Sequence, residues 1–487
     1  MKALRGSLLA AGVLLAGCSM APTYQVPTVV TPAAWKEAGP WRPGAPADQL
    51  PRGNWWTVFG NSTLNDLEQR ARQANTTLAG ALAHYDAERE ALAATRSSLF
   101  PSISAEGSMN RNRQSDNRPL RSASQPDIYD ADTVGLGLNY EVDLWGQVRN
   151  QVDAGTADAQ AAAADLESLR LSLQARLATD YFRLRGLDAE AGLLAQAVAD
   201  YTRALELTQL RHSGGIASGL DVGRAETQLD SARAATRDVA AQRAQYEHAL
   251  AALVGEPASS FVLAPGALPA TMPAIPVGVP ATLLQRRPDI AAAERRLAAA
   301  NARIGVARAA WFPVIDIDAN GGYQSTSVAH WLSAPNSFWS FGPSALLTVF
   351  DAGLHKAEEA EARDRYVEAS ADYRGRVLDA FAEVEDNLAL LGNYASEAGE
   401  RQAASAAATH TEALAMDRYR EGVVNYLEVV TAQTAALQAQ QDVLALNTRR
   451  LQASVGLIRA LGGGWSHDTL PTGSDLAQGQ PTSRPGS

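Results

Sequence analysis

The sequence predicts a mainly α-helical protein that also contributes strands to a membrane β-barrel. Two long stretches without proline, 127–256 and 344–470, carry helical patterns far longer than a globular domain requires. Before each long helix lies a pair of segments in which apolar and polar residues alternate, as in β-strands. The second half of the chain repeats the order of the first, so we predict a tandem duplication built on long helical hairpins.

The first hairpin begins with a helix of unusual length. Its helical pattern runs from Gln147 to Arg211, which is 65 residues, or roughly 100 Å at about 1.5 Å per residue. A break that contains glycines, RHSGGIASGLD at 211–221, precedes a returning helix that ends near Val254. Apolar residues at three- and four-residue spacing from Leu166 onward predict a coiled-coil seam.

A matching break, RYREGVVNYLE at 418–428, marks the second hairpin. Five residues of the first break recur 207 positions later, and they are Arg211, Gly215, Leu220, Asp221 and Val222, matching Arg418, Gly422, Leu427, Glu428 and Val429. The returning helix 216–254 spans about 58 Å and helix 281–309 about 43 Å, so the two stacked end to end nearly equal one long helix. We therefore predict a cylinder in which long helices lie beside stacked pairs of short ones.

The N-terminus has the pattern of a bacterial lipoprotein signal. Residues 1–17 combine a basic start with a short apolar run, and Leu15-Ala16-Gly17-Cys18 reads as a lipobox. We predict that Cys18, the only cysteine, carries covalent lipid; the alternative is a chance cysteine behind an ordinary secretory signal. Ser19 is not the aspartate that retains lipoproteins in the inner membrane, which favours the outer membrane.

Composition sets the remaining boundaries. The predicted units are a signal peptide at 1–17, a lipid-anchored extended arm at 18–60, a first repeat at 61–254, a proline-rich equatorial linker at 255–280, a second repeat at 281–465 and a flexible tail at 466–487. Trp55, Trp56 and Phe59 are expected to attach the arm to the body. Asn75 is a candidate N-cap that divides the first helical segment.

Four segments of about ten residues have the length and alternation of bilayer-spanning strands. Their apolar sets are Ile103, Ala105, Gly107 and Met109; Val134, Leu136, Leu138, Tyr140 and Val142; Ile315, Ile317, Ala319 and Gly321; and Trp339, Phe341, Ala345, Leu347 and Val349. Polar loops are expected at 112–132 and 324–337. The alternative is two soluble hairpins, each half-buried on a helix. Open sheet edges are not tolerated in lipid, so if the strands span a membrane several copies must share one barrel, and three copies would supply twelve strands.

No catalytic or metal site is apparent in the sequence. The seven histidines lack metal-ligand spacing, and no cysteine nucleophile remains after lipidation. The run LGGGW at 461–465 lacks the lysine and Ser/Thr of a phosphate-binding loop and predicts a helix C-terminal stop. The formal net charge of −11 argues against nucleic acid as a partner. We expect no enzyme activity and no cofactor apart from the lipid on Cys18.

The two helix breaks are the candidate functional positions. A tip at the far end of a helix of roughly 100 Å can close a tube or meet a partner. The alternative is a plain turn between two helices that Gly215 and Gly422 cap.

The sequence resembles a known family, the outer-membrane factors of tripartite efflux pumps, in their OprM/NodT lipoprotein branch. The motifs that carry the resemblance are YEVDLWG at 140–146, LLQRRPDI at 283–290, ARAAWFP at 307–313, VFDAG at 349–353, RYREGVVNYLEVV at 418–430 and ALGGGW at 460–465. The resemblance implies a TolC-like homotrimer in which a twelve-stranded β-barrel continues into a twelve-helix periplasmic α-barrel. It also implies passive export of drugs or other small toxic compounds, with a periplasmic adaptor and an inner-membrane transporter of the RND class as partners.

The resemblance also implies roles for particular residues. Cys18 matches the acylated cysteine. Residues that match the adaptor-contacting tips are Gly215, Ile216, Ala217 and Ser218 with Gly422, Val423 and Asn425. Leu427, Glu428 and Thr431 match the periplasmic gate, and Tyr419 and Asp221 match positions that hold neighbouring helices together when the gate is closed. Relatives carry an aspartate and an arginine where this chain has Thr431 and Thr434, so we expect Glu428 to supply the gate carboxylate and Arg418 or Arg420 to pair with Asp221.

Two alternatives stay open at this point. A type I secretion duct for proteins would have the same architecture. A lipid-anchored coiled-coil structural protein without a pore would share the anchor and the helices, but the polar face of the strands argues against it.

Overall fold

The structure is a computed structural model that describes residues 19–37, 53–117, 119, 122, 124, 126–269, 271–327, 329 and 331–477. The predicted signal peptide and Cys18 lie outside the described residues. Helices in chain order are α1 (Ser62–Ala74), α2 (Thr76–Ser97), α3 (Gln147–Ser213), α4 (Gly219–Leu253), α5 (Leu283–Arg286), α6 (Pro288–Ala309), α7 (Leu354–Arg420), α8 (Tyr426–Ala460) and α9 (Gly473–Ala477). The strands are β1 (Ser102–Arg113), β2 (Ile128–Glu141), β3 (Val314–Ser325) and β4 (Ser337–Leu346).

The tandem duplication is confirmed element by element. Helices α3 and α7 each contain 67 residues, and the returning helices α4 and α8 each contain 35. Helices α2 and α6 each contain 22 residues and precede the strand pairs. The two hairpins therefore have helices of equal length, and they differ in the side chains that these helices carry.

Short helices stack end to end, as predicted, but with different partners. At the junction of α4 and α2, the Asn75 Nδ2 donates to the Leu253 carbonyl at 2.8 Å, and the Asn75 Oδ1 accepts from the Leu78 amide at 2.9 Å. In the second repeat, the Arg287 guanidinium donates to the Ala460 carbonyl at 3.2 Å. Helix α4 thus continues into α2, and α8 into α6, whereas the length argument had joined 216–254 to 281–309. Length could not distinguish them, because α2 and α6 are equally long.

A glycine at each junction explains how the helices approach so closely. Gly255 has φ +74° and Gly462 has φ +90°, a backbone region that favours glycine. A Cβ on Gly255 would lie 2.3 Å from the Ala74 carbonyl oxygen, and one on Gly462 would lie 2.0 Å from that of Arg286. The predicted C-terminal stop in LGGGW is therefore confirmed.

The main core lies at the level of these junctions. Trp55, Tyr181 and Phe182 are almost fully buried there, and the Trp55 Nε1 donates to the Gln174 side chain at 3.2 Å. The three aromatic residues of the arm thus attach it to the body, as predicted. The linker is part of the same core, because Phe261 and other apolar residues on it are buried.

The first part of the predicted flexible tail is ordered. Residues 466–477 form a short 3-10 turn and α9, and Leu476 is buried against α2 and α3. Gln160 on α3 donates to the Pro471 carbonyl at 3.0 Å. Two apolar side chains, Leu470 and Leu476, hold this segment in spite of its polar composition.

The four strands form one antiparallel sheet in the order β1-β2-β3-β4. Strands β1 and β2 extend further into the predicted loop than expected, and β4 ends at Leu346, before Leu347 and Val349. The outer strands β1 and β4 are largely exposed in one chain, and the central strands β2 and β3 are mostly half-buried. In the described residues the strands pack on one another and not extensively on a helix, so the soluble alternative, with each hairpin half-buried on a helix, is wrong. Among the helices that the structure describes, none combines the length and apolarity of a membrane-spanning helix.

Candidate functional site: the sheet faces and the hairpin tips

The register of the sheet separates apolar from polar side chains across all four strands. Leu138 on β2 lies opposite Ile103 on β1 and Ala319 on β3, which in turn lies opposite Phe341 on β4. The neighbouring row is polar on three strands, with Ser102, Asn139 and Asp318 in register, and ends at Gly342 on β4. The Asn139 side chain donates to the Asp318 carboxylate at 3.0 Å. One face therefore suits lipid and the other suits water.

Both hairpin tips end in the same backbone cap. Gly215 and Gly422 have φ of +74° and +79°, and the amide after each glycine bonds back to the helix. Ile216 donates to the Arg211 carbonyl at 2.8 Å, and Val423 donates to the Arg418 carbonyl at 2.9 Å. These bonds define a Schellman cap, which fixes the direction in which each returning helix leaves the tip. Gly215 and Gly422 thus cap the two long helices, as the alternative of a plain turn also required.

The predicted adaptor-contacting residues lie together at these tips. Ile216 and Val423 occupy matching positions of the repeat and are 71% and 63% exposed. Each tip therefore presents a bulky apolar side chain on its surface. Ser218 and Asn425 cap the returning helices through their side-chain oxygens. Exposed apolar side chains on a rigid backbone are typical of a protein contact surface.

Tyr419, a predicted latch residue, joins the two hairpins of one chain. Its hydroxyl donates to the Thr208 Oγ1 at 3.2 Å, and its ring lies against Tyr426 with centroids 5.3 Å apart. The Arg211 guanidinium lies 4.7 Å above the Tyr419 ring and donates to the Tyr419 carbonyl. Burial raises the pKa of Tyr426 to about 12, so the Tyr426 hydroxyl stays neutral at physiological pH.

Sequence reasoning missed the role of Arg211. It identified this residue only as a marker of the repeat, because Arg211 and Arg418 occupy matching positions. The structure shows that the matching arginines have different partners. Arg211 bonds the second hairpin, whereas the Arg418 guanidinium lies 3.6 Å from the Glu428 carboxylate of its own hairpin.

The expected pairing of Asp221 with Arg418 or Arg420 does not occur within one chain. Asp221 forms a capping box with Ser218 and lies 3.5 Å from the Arg224 guanidinium. Arg420 pairs with Asp417 at 3.1 Å on its own helix. Local partners three residues away satisfy both groups, and the expectation, which came from the family resemblance, had not considered them.

The predicted gate residues lie at the start of α8. Leu427 is 45% exposed, and the side chains of Glu428 and its partner Arg418 are each about half exposed. An ion pair with that exposure is weak, because solvent screens it. The Thr431 hydroxyl donates to the Leu427 carbonyl at 2.8 Å. The exposed side chains are therefore free to face a lumen that several copies enclose.

The second departure from the family pattern, Thr434, also has a partner. The Gln228 side chain on α4 donates to the Thr434 Oγ1 at 3.1 Å. This contact joins α4 to α8, the returning helices of the two hairpins. The relatives have an arginine at this position, whereas this chain forms a hydrogen bond between two neutral side chains. The two hairpins are thus joined both by this bond and by the contacts of Tyr419.

Long helical hairpins with capped tips, continued by a sheet with one apolar and one polar face, define a subunit of an outer-membrane channel. The family model described as "Outer membrane efflux protein" matches residues 67–256 and 279–463. The chain belongs to the outer membrane efflux protein family, and it is the outer-membrane component of an efflux system.

Relatives and solved structures agree on this class. The chain is 32% identical over 462 residues to outer membrane protein OprJ of Pseudomonas aeruginosa, covering 94% of this chain and 95% of the relative. It is 32% identical over 465 residues to the toluene efflux pump outer membrane protein TtgC of Pseudomonas putida, covering 95% and 96%. The outer-membrane channel OprN superposes with a TM-score of 0.86 at 29% identity, covering 92% of this chain and 100% of OprN. The VceC protein of Vibrio cholerae superposes with a TM-score of 0.80 at 28% identity, covering 85% and 99%.

Proposed function

We propose that three copies of this chain form one continuous duct that exports drugs or other small toxic compounds across the outer membrane. The observation that carries the proposal is the register of the sheet, which places the apolar row of Ile103, Leu138, Ala319 and Phe341 beside the polar row of Ser102, Asn139 and Asp318. Within the part of the chain that the structure describes, strands β1 and β4 each pair on one side only, so their outer edges carry unpaired backbone groups. In lipid those edges require partners, which further copies of the sheet supply.

The hairpin tips support a junction with a periplasmic adaptor. Ile216 and Val423 are exposed on a backbone that two Schellman caps hold rigid. A rigid apolar tip contacts a partner at a low cost in conformational entropy. The adaptor in turn connects the duct to an inner-membrane transporter of the RND class, and the duct itself is passive.

The position of Glu428 supports the assignment of the periplasmic gate to the start of α8. Three copies would place three Glu428 carboxylates around one axis, each paired weakly with Arg418 of its own chain. Carboxylates in a ring repel one another and favour cations in the lumen. Acylation of Cys18 would add an anchor in the inner leaflet of the outer membrane.

Intracellular accumulation of a fluorescent dye and several antibiotics tests the proposal. A deletion strain is compared with the same strain complemented by the intact gene and by an Ile216→Asp/Val423→Asp variant. We expect raised accumulation on deletion, reversal by the intact gene, and no reversal by the variant, whose tips carry buried charge in the complex. Unchanged accumulation on deletion, with altered secreted proteins, would instead support a type I secretion duct.

A further inference from the structure

Two helix–helix contacts of the first repeat have no counterpart within a single chain. Helix α3 lies between two stacks of short helices, packing on α6 and α8 on one side and on α2 and α4 on the other. Its counterpart α7 packs on α6 and α8, and in the described residues it has no comparable contact with α2 or with α4. The α3–α6 contact is the more extensive of the two, and its counterpart between α7 and α2 is missing, so within the described part of the chain one side of α7 and one side of α2 are without a partner.

The existing contact between α3 and α6 shows what the missing one requires. Small residues allow the two helices to approach closely, since Ala164, Ala291 and Ala292 form a cluster in which each is at most 2% exposed. Beside the cluster, the Arg296 guanidinium pairs with the Asp165 carboxylate. A second pair, between Arg303 and Asp158, lies further along the same helices.

The duplication identifies the matching residues on α7 and α2. Helix α7 follows α3 at an interval of 207 residues, and α2 precedes α6 at an interval of 212. Ala164 thus corresponds to Ala371, and Ala291 and Ala292 correspond to Ala79 and Gly80. All three matching residues are exposed in one chain, although their counterparts are buried. No other atom approaches within 4 Å of a Cβ built on Gly80.

Charge supports the same correspondence. Asp165 corresponds to Asp372, and Arg296 corresponds to His84, so an acid and a base stand at matching positions. Both side chains are exposed in one chain, and the described residues place neither in an ion pair. His84 is nevertheless near Asp165 of its own chain, because burial raises the pKa of Asp165 while Arg296 and then His84 act to lower it. The surfaces of α7 and α2 thus match those of the α3–α6 contact in three respects. They carry small residues, leave open space beside Gly80, and place an acid and a base at matching positions.

We propose that α7 of one copy packs on α2 of the next copy in the geometry of the α3–α6 contact. Ala371 then lies against Ala79 and Gly80 of the next copy, and Asp372 pairs with His84 of the next copy. The inference rests on the assembly proposed above, and it assigns the surfaces and the residue pair that join the copies.

The proposed α7–α2 contact between copies is weaker than the α3–α6 contact within one chain. An arginine guanidinium can pair with a carboxylate through two parallel N–H groups, which a histidine ring cannot do. The second ion pair has no counterpart either, because Ala91 and Arg365 stand at the positions of Arg303 and Asp158. At these matching positions, the helices within one chain are thus held by two ion pairs, and neighbouring copies by one.

Cysteine cross-linking of the full-length protein in detergent tests the surfaces. In an Ala371→Cys/Gly80→Cys variant, oxidation should give a reductant-sensitive band at three times the chain mass. The matched control, Ala164→Cys/Ala292→Cys, should cross-link within the chain and stay at the monomer mass. A variant that is trimeric on a native gel yet yields no cross-linked trimer overturns this proposal and leaves the duct intact. A protein that is folded but never trimeric overturns the proposed function itself.

Charge exchange tests the residue pair. His84→Asp places two carboxylates together and should lower the fraction of trimer that survives dilution by roughly tenfold. Adding Asp372→Arg to that variant should restore the trimer, and His84→Arg alone should make it more resistant to dissociation than the unchanged protein. Loss of the trimer in His84→Asp without rescue by Asp372→Arg would overturn the pairing.

Discussion

Arg211 is the residue whose loss should most clearly loosen the hairpin tips. Its guanidinium donates to the Tyr419 carbonyl and lies 4.7 Å above the Tyr419 ring, and both contacts join the two hairpins. A charge-assisted hydrogen bond contributes about 1.5–3 kcal/mol, and a partly buried cation–π contact about 0.5–2 kcal/mol. Arg211→Met keeps the length of the side chain and removes both, so we expect the contact between hairpins to weaken by about 2–4 kcal/mol.

This loss matters for function if opening the tips separates the hairpins. A change of about 2 kcal/mol then shifts the ratio of closed to open channels roughly 30-fold toward open. Single-channel recording of the purified protein in planar bilayers measures this directly. The matched control is Arg203→Met, which removes an exposed arginine on the same helix whose ion pair is with Asp200. Equal open probability in the two variants would refute the role of Arg211.

Three further predictions concern the gate, a helix junction and a buried acid. Glu428→Gln removes one carboxylate per copy from the gate and should lower the preference for cations in reversal-potential measurements; unchanged selectivity would remove Glu428 from the lumen. Asn75→Ser keeps the cap of α2 but leaves the Leu253 carbonyl without its donor, so thermal unfolding should show a loss of about 1–3 kcal/mol. Asn75→Ala should lose about 1 kcal/mol more, and equal losses in the two would contradict the capping role. Glu68 is fully buried, both carboxylate oxygens lack a hydrogen-bond partner, and burial raises its pKa well above the ordinary value despite nearby Arg72. As pH rises the unfolded chain ionises first, so stability should fall from about pH 4.5 upward, and Glu68→Gln should remove that fall; a variant with the same pH profile would show that Glu68 is not its source.

The sequence was sufficient for features that depend on repetition and alternation. The equal hairpins follow from breaks 207 residues apart, and the two sheet faces follow from the parity of residues such as Ile103 and Asp318. Consecutive residues along a strand point to opposite faces, and residues opposite each other on neighbouring strands point to the same face. The alternation in the sequence is therefore enough to assign each side chain to a face. The strand ends were less predictable, since β2 begins at Ile128 inside a polar segment that looks like a loop.

Contacts between distant elements were not predictable from pattern. Stacking of α4 on α2 depends on Asn75 reaching the Leu253 carbonyl, and nothing in the lengths of the helices specifies that partner. Arg211 and Tyr419 meet only because two hairpins pack side by side. The local partners of Asp221 were available from the sequence, since Ser218 and Arg224 each lie three residues away.

The central claim is that copies of this chain enclose a continuous water-filled channel. The most direct measurement is the conductance of the purified, full-length protein in planar bilayers. We predict discrete conductance steps of uniform size that appear with the trimeric fraction and not with the monomeric one. A folded trimer that inserts into the bilayer and carries no current would contradict the claim and favour a lipid-anchored structural protein without a pore.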